Sequence, residues 1–195
     1  EDDRLNRNVW IHLRHPGTPA TTSNRRDIDR QARLRWLGSA EQEEGIWDAY
    51  LAPEGMPLTQ YITNNGTIDW LTTRELVESL AEELIRSDSE GHSHAQLSPH
   101  HLWVRADGGI TLMDFALGQD ETIVTQASQT NEQNGLTLLL ATAIYCIEGV
   151  CPSPDEMTRR DSLATVVTGH ISIRFRKVLA NCLLIRKNKR NNKGT

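Results

Sequence analysis

Between His94 and Gly118 the chain reads HAQLSPHHLWVRADGGITLMDFALG, and no other stretch constrains the fold as much. Two apolar runs, His101 to Arg105 and Ile110 to Phe115, flank the turn Ala106-Asp107-Gly108-Gly109. Asp-Gly and Gly-Gly in that setting specify a β-hairpin, because glycine accepts the positive φ of a tight turn without the steric penalty of a Cβ. The segment before the hairpin is polar, and the second strand closes on Asp114-Phe115. A loop, a hairpin and an acidic turn therefore follow one another in a fixed order.

The rest of the chain has to cover that hairpin. With 195 residues, 37% of them hydrophobic and 24% charged, it can build one substantial core or two small lobes sharing an interface. A net charge of −5 gives no case for a nucleic-acid partner. The charge is uneven: arginines crowd residues 4–35, and the end of the chain is basic, which reads as solvated faces or tails. Cys146, Cys151 and Cys182 are odd in number and lack metal-type spacing, so reduced thiols in the cytoplasm are expected. The longest apolar run, Leu136 to Ile147, is about half of a bilayer span and reads as a buried helix.

Taken in order, Asn8 to Leu13 reads as a strand. Ser23 or Asn24 can cap a helix running to about Leu37 and stopped by Gly38, with few apolar positions and a basic face. Gly45 to Leu51 reads as extended, Pro53-Glu54-Gly55 as a loop, and Leu58 to Ile62 as a short helix. Thr72 and Glu75 have capping-box spacing, and behind them Leu76, Val77, Leu80, Ala81, Leu84 and Ile85 recur at helical spacing to about residue 86. Residues 119–134 are loop-like, the buried helix spans 136–148, and further helices are expected over 155–167 and around Phe175 to Leu183.

The loop, hairpin and Asp-Phe order resembles the catalytic half of the protein kinase fold, where H-R-D-L-K-P-x-N precedes a hairpin and D-F-G. The corresponding residues here are His94-Ala95-Gln96-Leu97-Ser98-Pro99-His100-His101 and Asp114-Phe115-Ala116. Other segments resemble the same family in the same order. Val9-Trp10-Ile11-His12 is similar to the V-A-I-K strand, helix 24–37 to the small lobe's long helix, and Tyr50 to Leu58 to the inter-lobe hinge. The helix ending in Tyr145-Cys146-Ile147-Glu148-Gly149 resembles the central large-lobe helix, and Cys182-Leu183 with Arg190 resembles the family's closing motif. The resemblance implies an α+β, kinase-like two-lobe fold. Residues 1–55 form a reduced small lobe without a Gly-rich loop, 56–190 a shortened helical large lobe, and 191–195 a basic tail.

It also implies which positions would carry phosphoryl transfer, and most of them differ from the family. The strand lysine is His12, and the helix glutamate falls near Arg30. The catalytic base is Gln96, whose amide cannot accept a proton. The loop lysine is Ser98, and the metal-binding asparagine is His101. Asp114 alone keeps the family's residue, and one carboxylate is a poor magnesium site. No catalytic residue is therefore expected, no cofactor, and no ATP or magnesium beyond residual binding at Asp114.

His92, His94, His100 and His101 are dense but match no zinc pattern, so packing is the expectation. Trp10 and Trp103 are expected to fill the adenine and phosphate space. Arg25, Arg26, Arg30 and Arg33 could dock an acidic or phosphorylated protein partner through bidentate contacts. The expected function is a catalytically inactive regulatory module, cytoplasmic or the cytosolic domain of a membrane protein, with membrane contact only through flanking sequence. The alternatives are a divergent phosphotransferase using Asp114 with His94 or His101 as base, and a purely structural lobe.

Overall fold

In β1 (Val9–Leu13) exposure alternates, Ile11 and Leu13 facing outward while Trp10 and His12 are half-buried. The computed structural model describes residues 7–14, 21, 23–42, 45–91, 97–117 and 131–152. β1 pairs with β3 (Gly45–Leu51), which pairs with β2 (Trp36–Gln42), giving an antiparallel sheet in the order β1-β3-β2. The register sets His12 opposite Asp48 and Trp10 opposite Tyr50. Asp48 is a buried carboxylate on the covered face. Arg14 Nε and Nη2 donate to it at 2.6 and 2.9 Å, and Trp36 Nε1 at 2.8 Å, so its desolvation is offset by three donors.

The helix expected over 24–37 does not form. The chain makes a 3-10 turn at Ser23–Asp27, passes through an irregular stretch and enters β2. The reason is tertiary. Residues 32–34 lie alongside β6, with Leu34 N–H donating to Leu112 O at 3.0 Å and Leu112 N–H to Ala32 O at 2.9 Å. Thr111 Oγ1 adds a bond to Gln31 O at 2.8 Å. Backbone groups spent on the hairpin edge are lost to a helix whose sparse apolar positions gave it little packing.

The second sheet has the order β4-β5-β6, from β4 (Gly55–Pro57), β5 (Leu102–Arg105) and β6 (Ile110–Leu112), all antiparallel. The hairpin stands where the turn residues place it. Gly108 has φ 83°, and Asp107 Oδ1 accepts from Gly109 N–H at 2.9 Å. Pro53 and Glu54 lie outside any strand, as expected, and pairing of Gly55, Met56 and Pro57 with Arg105, Val104 and Trp103 adds a short strand after them. The second hairpin strand ends at Leu112, three residues short of Phe115; Met113 N–H still bonds His101 O at 2.8 Å in the hairpin register, but His101 belongs to the 3-10 turn Pro99–His101 and the pairing goes no further.

Among the described residues three helices cover this sheet: α1 (Leu58–Asn65), α2 (Trp70–Ser89) and α3 (Asn131–Glu148). Asp69, not Thr72, caps α2, accepting from Leu71 N–H at 2.9 Å and Thr72 N–H at 3.2 Å, while Thr72 Oγ1 donates to its other oxygen. The helix starts earlier than its apolar stripe because Ile68 N–H is pinned to Cys146 O of α3 at 2.7 Å. Leu76, Leu80 and Leu84 pack with Leu138, Tyr145 and Cys146 and with Leu102, Val104, Ile110 and Leu112 of the hairpin. α3 ends at Gly149, whose φ of 73° lets its N–H reach Tyr145 O. Among the described residues no helix is long and apolar enough to cross a membrane. His92, His94, Gln96, Cys182, Arg190 and the helices expected after residue 153 lie outside the described residues.

Candidate functional site

Where the two sheets meet, Leu34, Trp36, Tyr50, Trp103 and Met113 form a buried cluster, with Trp10, Phe115 and Leu117 packed against it. His12 projects from β1 onto Phe115, their rings stacked at 4.2 Å with an interplanar angle of 5°. Tyr50 is tilted at 60° to Phe115 with ring centroids 5.4 Å apart, and burial pushes its phenol well above the usual range. Trp10 meets Trp103 edge to face at 4.8 Å, and Trp103 Nε1 donates to Glu54 O at 3.2 Å. Five aromatic side chains and an imidazole thus occupy the space between the sheets.

Asp114 follows directly on this cluster. Arg33 Nη2 donates to its Oδ1, and Arg25 Nη2 stands 3.0 Å from its Oδ2 as an ion pair. Arg25 Nη2 also donates to Leu34 O. The bridge between Arg33 and Leu112 brings this about, since it sets Arg33 beside the strand that delivers Asp114 two residues later. Both arginines are buried, and desolvation lowers the pKa of Arg25 while Asp114 opposes that shift.

Arg30 points elsewhere. Its Nε and Nη2 donate to Glu83 at 2.8 and 2.9 Å, and Nη1 to Glu90 at 2.6 Å, so it bolts the segment before β2 onto α2. These hydrogen bonds raise the pKa of Arg30 further above its already high value. Glu83 is a charge on the buried stripe of α2 and also accepts from Ser87 Oγ at 2.8 Å. Arg26 is exposed, its guanidinium 5.6 Å from the centre of the Trp36 ring. The four arginines expected on one basic face therefore divide: Arg25 and Arg33 inward to Asp114, Arg30 to α2, Arg26 to solvent.

Ser98 and His101 lie at the two ends of the short turn that leads into β5. Ser98 N–H donates to His101 Nδ1 at 3.2 Å, with Ser98 Oγ at the same distance. Burial brings the His101 pKa down to about 4, so its ring is neutral at pH 7 with the proton on Nε2. A magnesium ion is a poor fit to these residues. Both oxygens of Asp114 face guanidinium groups, and His101 offers nitrogen where a hard cation favours oxygen. Among the described residues no three His, Cys, Asp or Glu side chains come together as a metal site.

Sequence reasoning singled out Asp114 and the arginines separately and missed that they meet. It also passed over Glu83, though a glutamate at the spacing of Leu76, Leu80 and Ser87 is a readable signal of an internal ion pair.

The order of elements, the hairpin and the Asp-Phe turn define a mixed α/β architecture of the protein kinase-like type. The crystal structure of Rad53, a protein kinase, in complex with AMP-PNP superimposes with a TM-score of 0.61 at 15% identity, covering 82% of this chain and 47% of that one. A mouse sperm motility kinase, the Tcr mutant form, is 32% identical over 68 residues, 35% of this chain and 14% of its own length. No protein-family profile matches. The chain thus has a protein kinase-like fold with reduced lobes, and it spans less than half the length of either similar protein.

Proposed function

We propose that this chain is a catalytically inactive kinase-like domain that works as a binding or regulatory module. The observation that carries this reading is Asp114 held between Arg33 and Arg25. The one carboxylate that resembles a metal ligand already has cationic partners, which a magnesium ion would have to displace. The aromatic filling around Phe115 supports the same reading, because His12 is stacked on a ring instead of presenting a charge for phosphates. In such a module neither ATP nor magnesium is a cofactor.

The partner we propose is a protein segment that is acidic or phosphorylated. Arg26 is the exposed member of the arginine set, and Arg30 stands at its half-buried edge. Unpaired thiols at Cys146 and Cys151 favour a reducing compartment, so a cytoplasmic domain, free or attached to a membrane protein, fits this role.

Thermal-shift titration of the full chain with ATP, in Mg²⁺ or Mn²⁺ and again in EDTA, tests the inactive reading. No metal-dependent stabilisation is expected at millimolar nucleotide. A saturable metal-dependent rise that disappears in Asp114→Ala overturns it and favours a divergent phosphotransferase. Charge reversal at Arg26, which is not buried, tests the partner surface without unpairing Asp114.

A further inference from the structure

β1 lies at the edge of its sheet, paired with β3 on one side and, among the described residues, with no strand on the other. The bonds at its two ends show which backbone groups point outward. Asn8 O accepts from Ala52 N–H at 3.1 Å, and Arg14 N–H donates to Ile46 O at 2.8 Å. Antiparallel bonding repeats at every second residue, so Trp10 and His12 bond β3 opposite Tyr50 and Asp48. Val9, Ile11 and Leu13 therefore turn their N–H and C=O groups to the open edge.

The side chains of the same three residues stand on the outer face of the sheet. There Val9 lies opposite Leu51, Ile11 opposite Ala49 and Leu13 opposite Trp47, and every pair is apolar. Ile11 is 53% exposed and Leu13 59%. Open edges in native proteins are ordinarily blunted by a lysine, a proline or a bulge, and Val9-Trp10-Ile11-His12-Leu13 has none of these. A regular, apolar, open edge fits one kind of partner, which is another β-strand.

We propose that β1 is a dimerisation edge, joined antiparallel to β1 of a second copy of this chain about a two-fold axis at Ile11. In that register the strand is its own complement: Ile11 meets the partner's Ile11, and Val9 meets the partner's Leu13. Each pair joins residues whose N–H and C=O already face the edge, so each exchanges two main-chain hydrogen bonds. A slip of one residue would set outward groups against groups already bonded to β3. The outer face then runs apolar from Leu51, Ala49 and Trp47 of one copy across both β1 strands. A five-residue strand is about 16 Å long, and pairing along it buries less than the roughly 1,200 Å² of a stable interface. The dimer therefore forms with a Kd of about 10–100 μM. Arg26 takes no part in it, so it stands or falls apart from the partner surface proposed above.

Sedimentation of the full chain under reducing conditions, over a concentration series spanning that range, tests the proposal. The weight-average mass should rise from one chain towards two. Ile11→Lys and Ile11→Glu should each stay monomeric, because like charges face each other at the axis, and an equal mixture of the two should dimerise again. Ala40→Lys, on the exposed outer face of β2 away from the edge, should dimerise like the wild type. Amide exchange on the wild-type chain gives a reading that needs no variant: protection at Val9, Ile11 and Leu13 should grow with concentration, while Trp10 and His12 stay protected throughout. A chain that is monomeric across the series overturns the proposal. So does a mixture that stays monomeric, or an Ala40→Lys variant as disrupted as Ile11→Lys, which would place the contact face to face. Protection of Val9, Ile11 and Leu13 in the dilute monomer also overturns it, since the edge would then be covered by the chain itself.

Discussion

Replacing Arg30 with methionine tests the contact that fastens the segment before β2 to α2. The Glu83 side chain is 1% exposed, and three donors hold it: Arg30 Nε at 2.8 Å, Arg30 Nη2 at 2.9 Å and Ser87 Oγ at 2.8 Å. In Arg30→Met the serine hydroxyl alone remains of those three, for a carboxylate that water does not reach. Removing one partner of a buried ion pair costs about 3–5 kcal/mol. The second contact of Arg30, to Glu90, lies at the exposed rim, where such a pair contributes at most about 1 kcal/mol. Almost all of the loss therefore falls on Glu83, and about 3 kcal/mol is expected. For a chain of this size that lowers Tm by about 6–12 °C. The double variant Arg30→Met/Glu83→Leu should recover about 2 kcal/mol, because it removes the stranded charge and fills the space with apolar atoms. Urea unfolding followed by tryptophan fluorescence reads all three variants. A cost below about 1 kcal/mol for Arg30→Met, or a double variant as unstable as the sum of the singles, would refute the buried-clamp argument.

Acid should weaken the fold through His101. Its pKa lies near 4 in the folded chain against 6.5 as the reference, so the unfolded chain binds more protons between those values. Stability rises with pH across that window by about 3 kcal/mol and is lost as pH falls to 4; His101→Phe should flatten the profile measured by urea midpoints. Trp103→Ala removes a buried ring that touches Trp10 and bonds Glu54, and should cost about 3–5 kcal/mol, whereas Trp103→Phe keeps most of the packing and loses mainly the hydrogen bond. Asp69→Ala should shorten α2 and lower its amide-exchange protection at Leu71 and Thr72, while Glu75→Ala leaves both unchanged; the reverse result would restore the cap to Thr72.

Local chemistry was legible without coordinates. The hairpin follows from Asp107-Gly108-Gly109, α2 from the repeat of Leu76, Leu80 and Leu84, and the end of α3 from Gly149, because each signal acts within about one turn of chain. The order of those pieces was enough to point to a kinase-like fold. The segment from Ser23 to Gly38 was misread for the same physical reason. Its helix-capping residues and arginines are local cues, and the forces that decide its shape come from Leu112, Asp114 and Glu83, far along the chain. β4 was missed likewise, since Gly55 to Pro57 becomes a strand only by pairing with β5.

The candidate site divides along the same line. From sequence alone comes only the expectation, carried by the kinase resemblance, that His12, Arg30, Ser98 and His101 replace the family's residues while Asp114 keeps one. What those residues do is a property of the tertiary structure. Arg33 and Asp114 are 81 positions apart, and nothing in the spacing announces that they meet. Their pairing depends on a single backbone bridge at Leu112, which turns two arginines inward and closes a carboxylate between them. Charges of opposite sign can be counted in a sequence, but their distance sets their energy, and only the folded chain determines that distance.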